Sequence, residues 1–175
     1  MYRTLKRIQY GIDALNEWVG KTVSWLTTML VLVVCLDVIV RYLFNDTKAW
    51  IMELEWHLFA LVFLIGAGYA FKHDRHVRVD LFYAKFTPKD RALVNLIGGL
   101  IFLVPWCILI IYVSYDYAHV SFLIRETSPD PGGLPARYII KFAITVGVSL
   151  LLLQGISSII QSLFIYLGKE GEPKA

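Results

Sequence analysis

The sequence predicts an all-α integral membrane protein. It reads as four transmembrane helices plus an N-terminal amphipathic interfacial helix, with both termini cytoplasmic. Three observations carry this. Of 175 residues, 57% are apolar and 18% charged, against about 45–50% and 25% in a soluble domain, and the mean hydropathy is +0.59. The apolar residues are gathered into stretches free of Asp, Glu, Lys and Arg, namely 22–36, 56–71, 92–115 and 142–168. The basic residues are divided unequally by these stretches. Twelve fall with the two termini and the 72–92 loop, and five fall on the other side. Basic loops stay in the cytoplasm, which sets the orientation. The composition excludes a disordered chain, a nucleic-acid-binding domain and an ordinary soluble enzyme.

Taken in order, the chain reads as a single membrane domain over 1–175. Residues 1–17 form a surface helix. Leu5, Ile8, Ile12, Leu15 and Val19 recur at spacings of three and four, giving one stripe that lies on lipid while Lys6, Asp13 and Glu17 face away. A hydrocarbon core takes roughly 20 helical residues to cross, and backbone groups in lipid must bond within their own segment. The spans fall near 18–40, 50–71, 93–113 and 139–167, with a tail at 168–175. The first span is too long for a signal-peptide core and no A-x-A-like site follows it, so it is expected to be retained. Trp18 and Trp25 sit at the inner interface, and Trp50 and Trp56 at the outer one. Trp106 lies mid-span beside Pro105, where a kink is expected. Thr87 and Pro88 suit the start of the third span, as N-cap and first-turn proline. The stretch Thr127–Pro135, rich in Pro and Gly, specifies a fixed outer turn.

Ionisable residues in a membrane are costly and mark either packing or transport. Asp37 and Arg41 are four apart on the first span and share a face, as do Glu53 and His57 on the second. Glu55 points elsewhere, and Lys141 opens the fourth span. These groups lie near outer helix ends, and nothing charged sits mid-span in the third and fourth helices. They therefore read as structural ion pairs, for example Arg41 with Glu53 and Lys141 with Glu55. The competing reading is a proton or cation pathway, which for Glu53 and Glu55 would mean a small dimeric exporter.

Small residues mark packing faces: Gly66, Ala67 and Ala70 on the second span, Gly98 and Gly99 on the third, Gly155 and Ser158 on the fourth. Cys35 and Cys107 stand alone, with no CxxC motif. His57 and His119 both lie toward the outer side, which leaves open a bis-histidine haem-binding anchor of an oxidoreductase. His73 and His76 lack further ligands for a metal site. No Walker, GxSxG or HExxH motif is present.

The order and spacing of several short features carry a resemblance. Arg41-Tyr42 closes the first span. Trp50 and Glu53 open the second, followed by Phe63, Gly66, Ala67 and Ala70. His76-Val77 and Val79-Asp80 come next, then Ser128-Pro129 and Pro135. Over nearly its whole length the chain resembles the DctQ-type small membrane subunit of tripartite ATP-independent periplasmic (TRAP) transporters. The resemblance implies a sodium-coupled importer of a small organic anion, of the carboxylate class, in the bacterial inner membrane. A periplasmic substrate-binding protein delivers the substrate. A large DctM-type elevator subunit carries the sodium and substrate sites. On this reading the chain is not an enzyme and holds no cofactor. It binds and extends the stationary scaffold of the large subunit, and its other contact is membrane lipid. Arg125, Glu126, Ser128, Pro129, Asp130 and Pro135 form the loop expected to help dock the binding protein.

Overall fold

The computed structural model describes residues 2–74, 83 and 85–169. Four helices account for most of them: α1 (Tyr2–Leu43), α2 (Ala49–Lys72), α3 (Pro88–Leu123) and α4 (Tyr138–Tyr166). Each is long and apolar enough to cross a membrane, and there is no strand among the described residues. The inner-loop residues His76, Val77, Arg78, Val79, Asp80 and Leu81 and the end of the tail lie outside the described residues.

The last helix is the hub. α4 packs against α1, α2 and α3, while α1 and α2 also pack on each other. Glycines make these approaches possible. A Cβ at Gly147 would collide with the main-chain carbonyl of Leu64 on α2, and one at Gly155 with the Leu103 side chain on α3. Gly99 faces Ile159 in the same way, at 2.7 Å from an ideal Cβ. Gly20 on α1 lies under the Tyr69 ring, and Gly68 on α2 under the Asn16 amide. Where lipid tails are as apolar as the side chains, close packing of this kind is what holds helices together.

α3 is longer than the expected 93–113 span and is not regular. Thr87 caps it, accepting from the Asp90 N–H at 3.3 Å, and Pro88 sits in the first turn. Gly99–Leu103 forms a π-helical turn, and the Val104 N–H reaches back to the Gly99 carbonyl. The disturbance expected at Pro105 thus takes the form of a wide turn just before it. Proline has no N–H to give and crowds the preceding turn, and a π turn absorbs both.

The N-terminal segment corrects the sequence reading. There is no separate surface helix over 1–17, because α1 is one helix of 42 residues. At 1.5 Å per residue it is about 63 Å long, roughly twice the hydrocarbon thickness, so it runs obliquely or projects beyond it. Its polar face is turned inward. Gln9 and Asn16 are buried against the bundle, while Ile8 and Leu15 of the apolar stripe are exposed, and Leu5, Ile12 and Val19 are half-buried. The Asn16 amide donates to the Ile12 and Leu150 carbonyls, while the Gln9 and Asn16 side-chain oxygens are buried without a hydrogen bond among the described residues.

Replacing Gly147 by Val is expected to destabilise the protein by about 1–3 kcal/mol through overpacking against a carbonyl. Gly66→Val, where nothing lies within 4 Å of a new Cβ, is expected to change stability by less than about 0.5 kcal/mol. Thermal unfolding of the two variants in detergent checks the difference.

Candidate functional site: an outer carboxylate clamp and an inner polar seam

Two polar clusters stand out from the apolar bundle. The outer one is built on Glu53, in the second turn of α2 and 4% exposed. Its carboxylate accepts the Ser128 hydroxyl, the Leu134 main-chain N–H at 2.5 Å and the Arg137 guanidinium at 3.5 Å. All three donors come from the 124–137 connection. Ser128 also accepts the Asp130 N–H at 3.1 Å, and the Gly133 N–H bonds to the Asp130 carbonyl at 3.0 Å. Gly132 takes φ +76°, a left-handed conformation that costs glycine nothing. Gly133 lies so close that a Cβ would stand 2.8 Å from the Glu53 carboxylate. One buried charge therefore organises the whole outer turn.

Beside it, Glu126 pairs with Lys141, whose ammonium also sits 4.0 Å from the centre of the Tyr117 ring. The Lys141 hydrogen bond holds the Glu126 carboxyl below its ordinary value of 4.5. Arg137 stacks over Trp56 at 5.8 Å. Asp37, buried on α1, is paired with Arg41 one turn later. The pairs suggested from sequence, Arg41 with Glu53 and Lys141 with Glu55, do not form. Arg41 takes its own-helix neighbour because i,i+4 spacing brings the two together without other movement. The outer connection supplies partners to Glu53 and Lys141 that no helical spacing reveals. Glu55 is half-buried, and one of its carboxyl oxygens is buried with no hydrogen bond.

The remaining residues of the outer loop are placed as follows. Arg125 has φ +47° and is exposed, as are Pro129, Asp130 and Pro135. His57 closes on the Glu53 main-chain oxygen at 2.5 Å and on the Trp56 ring. His119 stacks on Tyr115 with the rings 6° from parallel. Each histidine is held by its own helix. Among the described residues no group of three His, Cys, Asp or Glu is placed to hold a metal ion.

The inner seam was not legible in the sequence. The Asp13 carboxylate accepts from Gln154 at 2.8 Å and Ser157 at 2.6 Å on α4. Lys72, at the end of α2, bonds to the Asp13 carbonyl at 3.0 Å and to Glu17 at 2.8 Å. Glu17 also meets His73 at 2.9 Å and Lys21 at 3.0 Å. Asn16 reaches the Leu150 carbonyl at 3.5 Å. These bonds fall halfway along α4, so charged groups do stand beside its middle. They come from α1 and α2, which is why a scan of the third and fourth spans alone misses them.

The small residues split into two groups. Gly99 and Gly155 are used within the chain, between α3 and α4, and are not free packing faces. Gly66 and Gly98 have nothing within 4 Å of an added Cβ and face outward. Ala67 and Ala70 are half-buried. Ser158 lines a crevice of about 280 Å³ with Gly98, Asn95 and Phe71.

The sequence model of the family described as "Tripartite ATP-independent periplasmic transporters, DctQ component" matches residues 30–164. The chain belongs to this family. It is similar to the C4-dicarboxylate TRAP transporter small permease protein DctQ of Vibrio cholerae, with 28% identity over 136 residues. That match covers 78% of this chain and 56% of the Vibrio protein, so the chain spans little more than half the length of that relative. It is also similar to a putative TRAP transporter small permease protein of Haemophilus influenzae, 29% identical over 151 residues. There the match covers 84% of this chain and 88% of the relative. The DctQ family is one of transporter components, not of enzymes. Its match takes in α2 and α3 whole and α4 as far as Phe164, together with the Glu53 clamp, and begins after the inner half of α1.

Two outcomes follow for the clamp. Hydrogen bonds to a charged group contribute about 1.5–3 kcal/mol each, so Glu53→Gln is expected to speed hydrogen exchange at the Leu134 amide about tenfold or more. The depressed Glu126 carboxyl binds Lys141 fully above its ordinary value of 4.5. That contribution is lost as the pH falls below this value toward the lowered one of the folded protein. Proteolytic cleavage of the outer loop should therefore rise on acidification, and Glu126→Gln should remove that part of the dependence.

Proposed function

We propose that this chain is the small permease subunit of a TRAP transporter in a bacterial inner membrane. The observation that carries the reading is the family match over residues 30–164, on a chain with four helices able to span a bilayer. The transporter imports a small organic anion of the carboxylate class. It is coupled to sodium and fed by a periplasmic binding protein. The names of the two relatives support the substrate class and the subunit role, since one is called a C4-dicarboxylate transporter component and both are called small permeases. The chain itself is a scaffold-builder. It binds the stationary part of a large elevator-type membrane subunit and enlarges it, while that subunit carries the sodium and substrate sites.

The geometry supports a supporting role in two ways. The polar clusters at Glu53 and Asp13 are spent on bonds between helices and loops of this chain, which stiffens it. The outer turn, tied down by Glu53, presents Pro129, Asp130 and Pro135 as a fixed exposed edge, as a docking contact for the binding protein requires.

The test is co-purification and uptake. Tagged chain extracted in mild detergent from its native membrane should bring down a large polytopic protein in about equal amount. Labelled C4-dicarboxylate uptake by cells should need both chains and the binding protein, and should need sodium. Glu53→Ala should reduce both the retained partner and uptake. Full uptake by reconstituted large subunit and binding protein without this chain would overturn the role. A coloured preparation with a Soret band would point instead to a haem anchor.

A further inference from the structure

A crevice of about 280 Å³ opens between the inner end of α2, the first turns of α3 and the middle of α4. Phe71 forms one wall and Asn95, Gly98 and Leu103 the other, with Gly155 and Ser158 behind them.

Three helices give its depth. Phe71 lies 18 residues from Glu53, Asn95 22 residues from Tyr117, and Ser158 17 residues from Lys141. Glu53, Tyr117 and Lys141 all stand at the outer clamp. At 1.5 Å per residue the mouth of the crevice is about 26–33 Å from that clamp, and a hydrocarbon core is about 30 Å thick. The mouth is therefore at the inner boundary of the membrane, beside Lys72 at the end of α2. From Asn95 the crevice continues eight residues along α3 to Leu103, about 12 Å into the hydrocarbon. Its lining changes with depth. Asn95, whose amide donates to the Tyr83 hydroxyl at 2.9 Å, and Ser158 stand at the mouth. Leu103 and Gly155 close the deep end.

Charge indicates what fits. Arg91 precedes Asn95 by one turn and lies on the same side of α3, with its guanidinium 5.5 Å from the centre of the Tyr83 ring. The Lys89 ammonium stands 5.2 Å from the Tyr166 ring centre, and Lys85 is exposed. The nearby acids are Asp74, past the end of α2, and Asp90, whose carboxylate accepts the Thr87 hydroxyl at 2.6 Å. Over the inner side as a whole twelve basic residues face seven acidic ones, and over the outer side five face seven. The anionic headgroups of a cytoplasmic leaflet are drawn to such a basic end. A basic rim, a polar mouth and an apolar deep end match phosphate, ester and acyl chain in that order. A helix is too large: a single turn, about 10 Å across with a 5.4 Å pitch, fills more than about 400 Å³.

We propose that this crevice binds one anionic phospholipid of the inner leaflet. The phosphate sits at Arg91, the glycerol esters at Asn95 and Ser158, and one acyl chain runs over Gly98 toward Leu103. Glycine at position 98 leaves the room, since a Cβ there would meet nothing within 4 Å and would enter the crevice. The proposal depends on the membrane setting and orientation of the chain, not on its role in a transporter.

The experiment uses the full chain, purified in mild detergent and mixed with dioleoyl phosphatidylglycerol or, for comparison, dioleoyl phosphatidylcholine. Native mass spectrometry counts the lipid retained. One phosphatidylglycerol per chain is expected, held several-fold more strongly than phosphatidylcholine. Gly98→Leu fills the crevice and should lower that retention several-fold. Gly66→Leu, on an open face of α2 elsewhere, should leave it unchanged. The thermal midpoints of both variants without added lipid should stay near that of the parent chain. Arg91→Gln leaves the crevice open and should bring phosphatidylglycerol down to the phosphatidylcholine level, which tests the site even if Gly98→Leu does not fold. Equal retention of the two lipids by the parent chain would overturn the assignment, as would retention that neither variant lowers. So would absence of the lipid from chain isolated with a membrane partner, because a protein then covers the crevice.

Discussion

Close approach to α4 is the constraint on which the rest of the structure depends. Three helices lean on one, and α2 and α3 can do so because Gly147, Gly155 and Gly99 remove the side chains that would hold the backbones apart. Once α2 is seated on Gly147, its two ends are placed. Glu53 then stands under the outer connection, and Lys72 stands beside Asp13 and Glu17. Both polar clusters are consequences of that seating. A bilayer supplies no hydrogen-bonding competitor, so bonds from Asp13 to Gln154 and Ser157 fix the register of α1 against α4 as firmly as packing does.

The two clusters have different characters. The outer one is a buried carboxylate surrounded by donors from a single loop, and it turns a proline- and glycine-rich connection into a rigid cap. The inner one joins three helices and mixes charged, amide and hydroxyl groups. It lies where α2 ends and α1 and α4 continue, so it closes a step in the bundle that apolar packing alone would leave polar and exposed. The carboxylates of both clusters are engaged with fixed partners within this chain.

Membrane-facing surface divides along the same lines. α1 shows lipid an aliphatic side, with tryptophans near its one exposed lysine. α3 packs chiefly on α4 and carries Phe102 and Trp106 next to a π turn and a proline, with Tyr112, Tyr115, Tyr117 and Phe122 toward its outer end. A wide turn in a helix shifts the side chains that follow it by part of a turn. Leu103, at the end of the wide turn, lies inward on Gly155, and Trp106 is exposed.

Much of this was legible in the sequence. Four apolar runs, separated by polar loops and longer than a soluble core helix needs, determine four helices and a membrane setting, because burying backbone in lipid leaves no other choice. Thr87 and Pro88 announce the start of α3, and Pro105 announces its irregularity, because capping and the missing N–H are local effects. The short features around Arg41, Trp50, Glu53 and Ser128 carry the family. What depended on tertiary structure is every pairing between distant residues. Glu53 chooses Ser128, Leu134 and Arg137 across more than 70 positions, and Asp13 chooses Gln154 and Ser157 across more than 140. The polar face of α1, read as turned away from the membrane, is turned into the protein for the same reason. Periodicity tells which residues share a face of a helix, but only the packing of one helix on another tells where that face points.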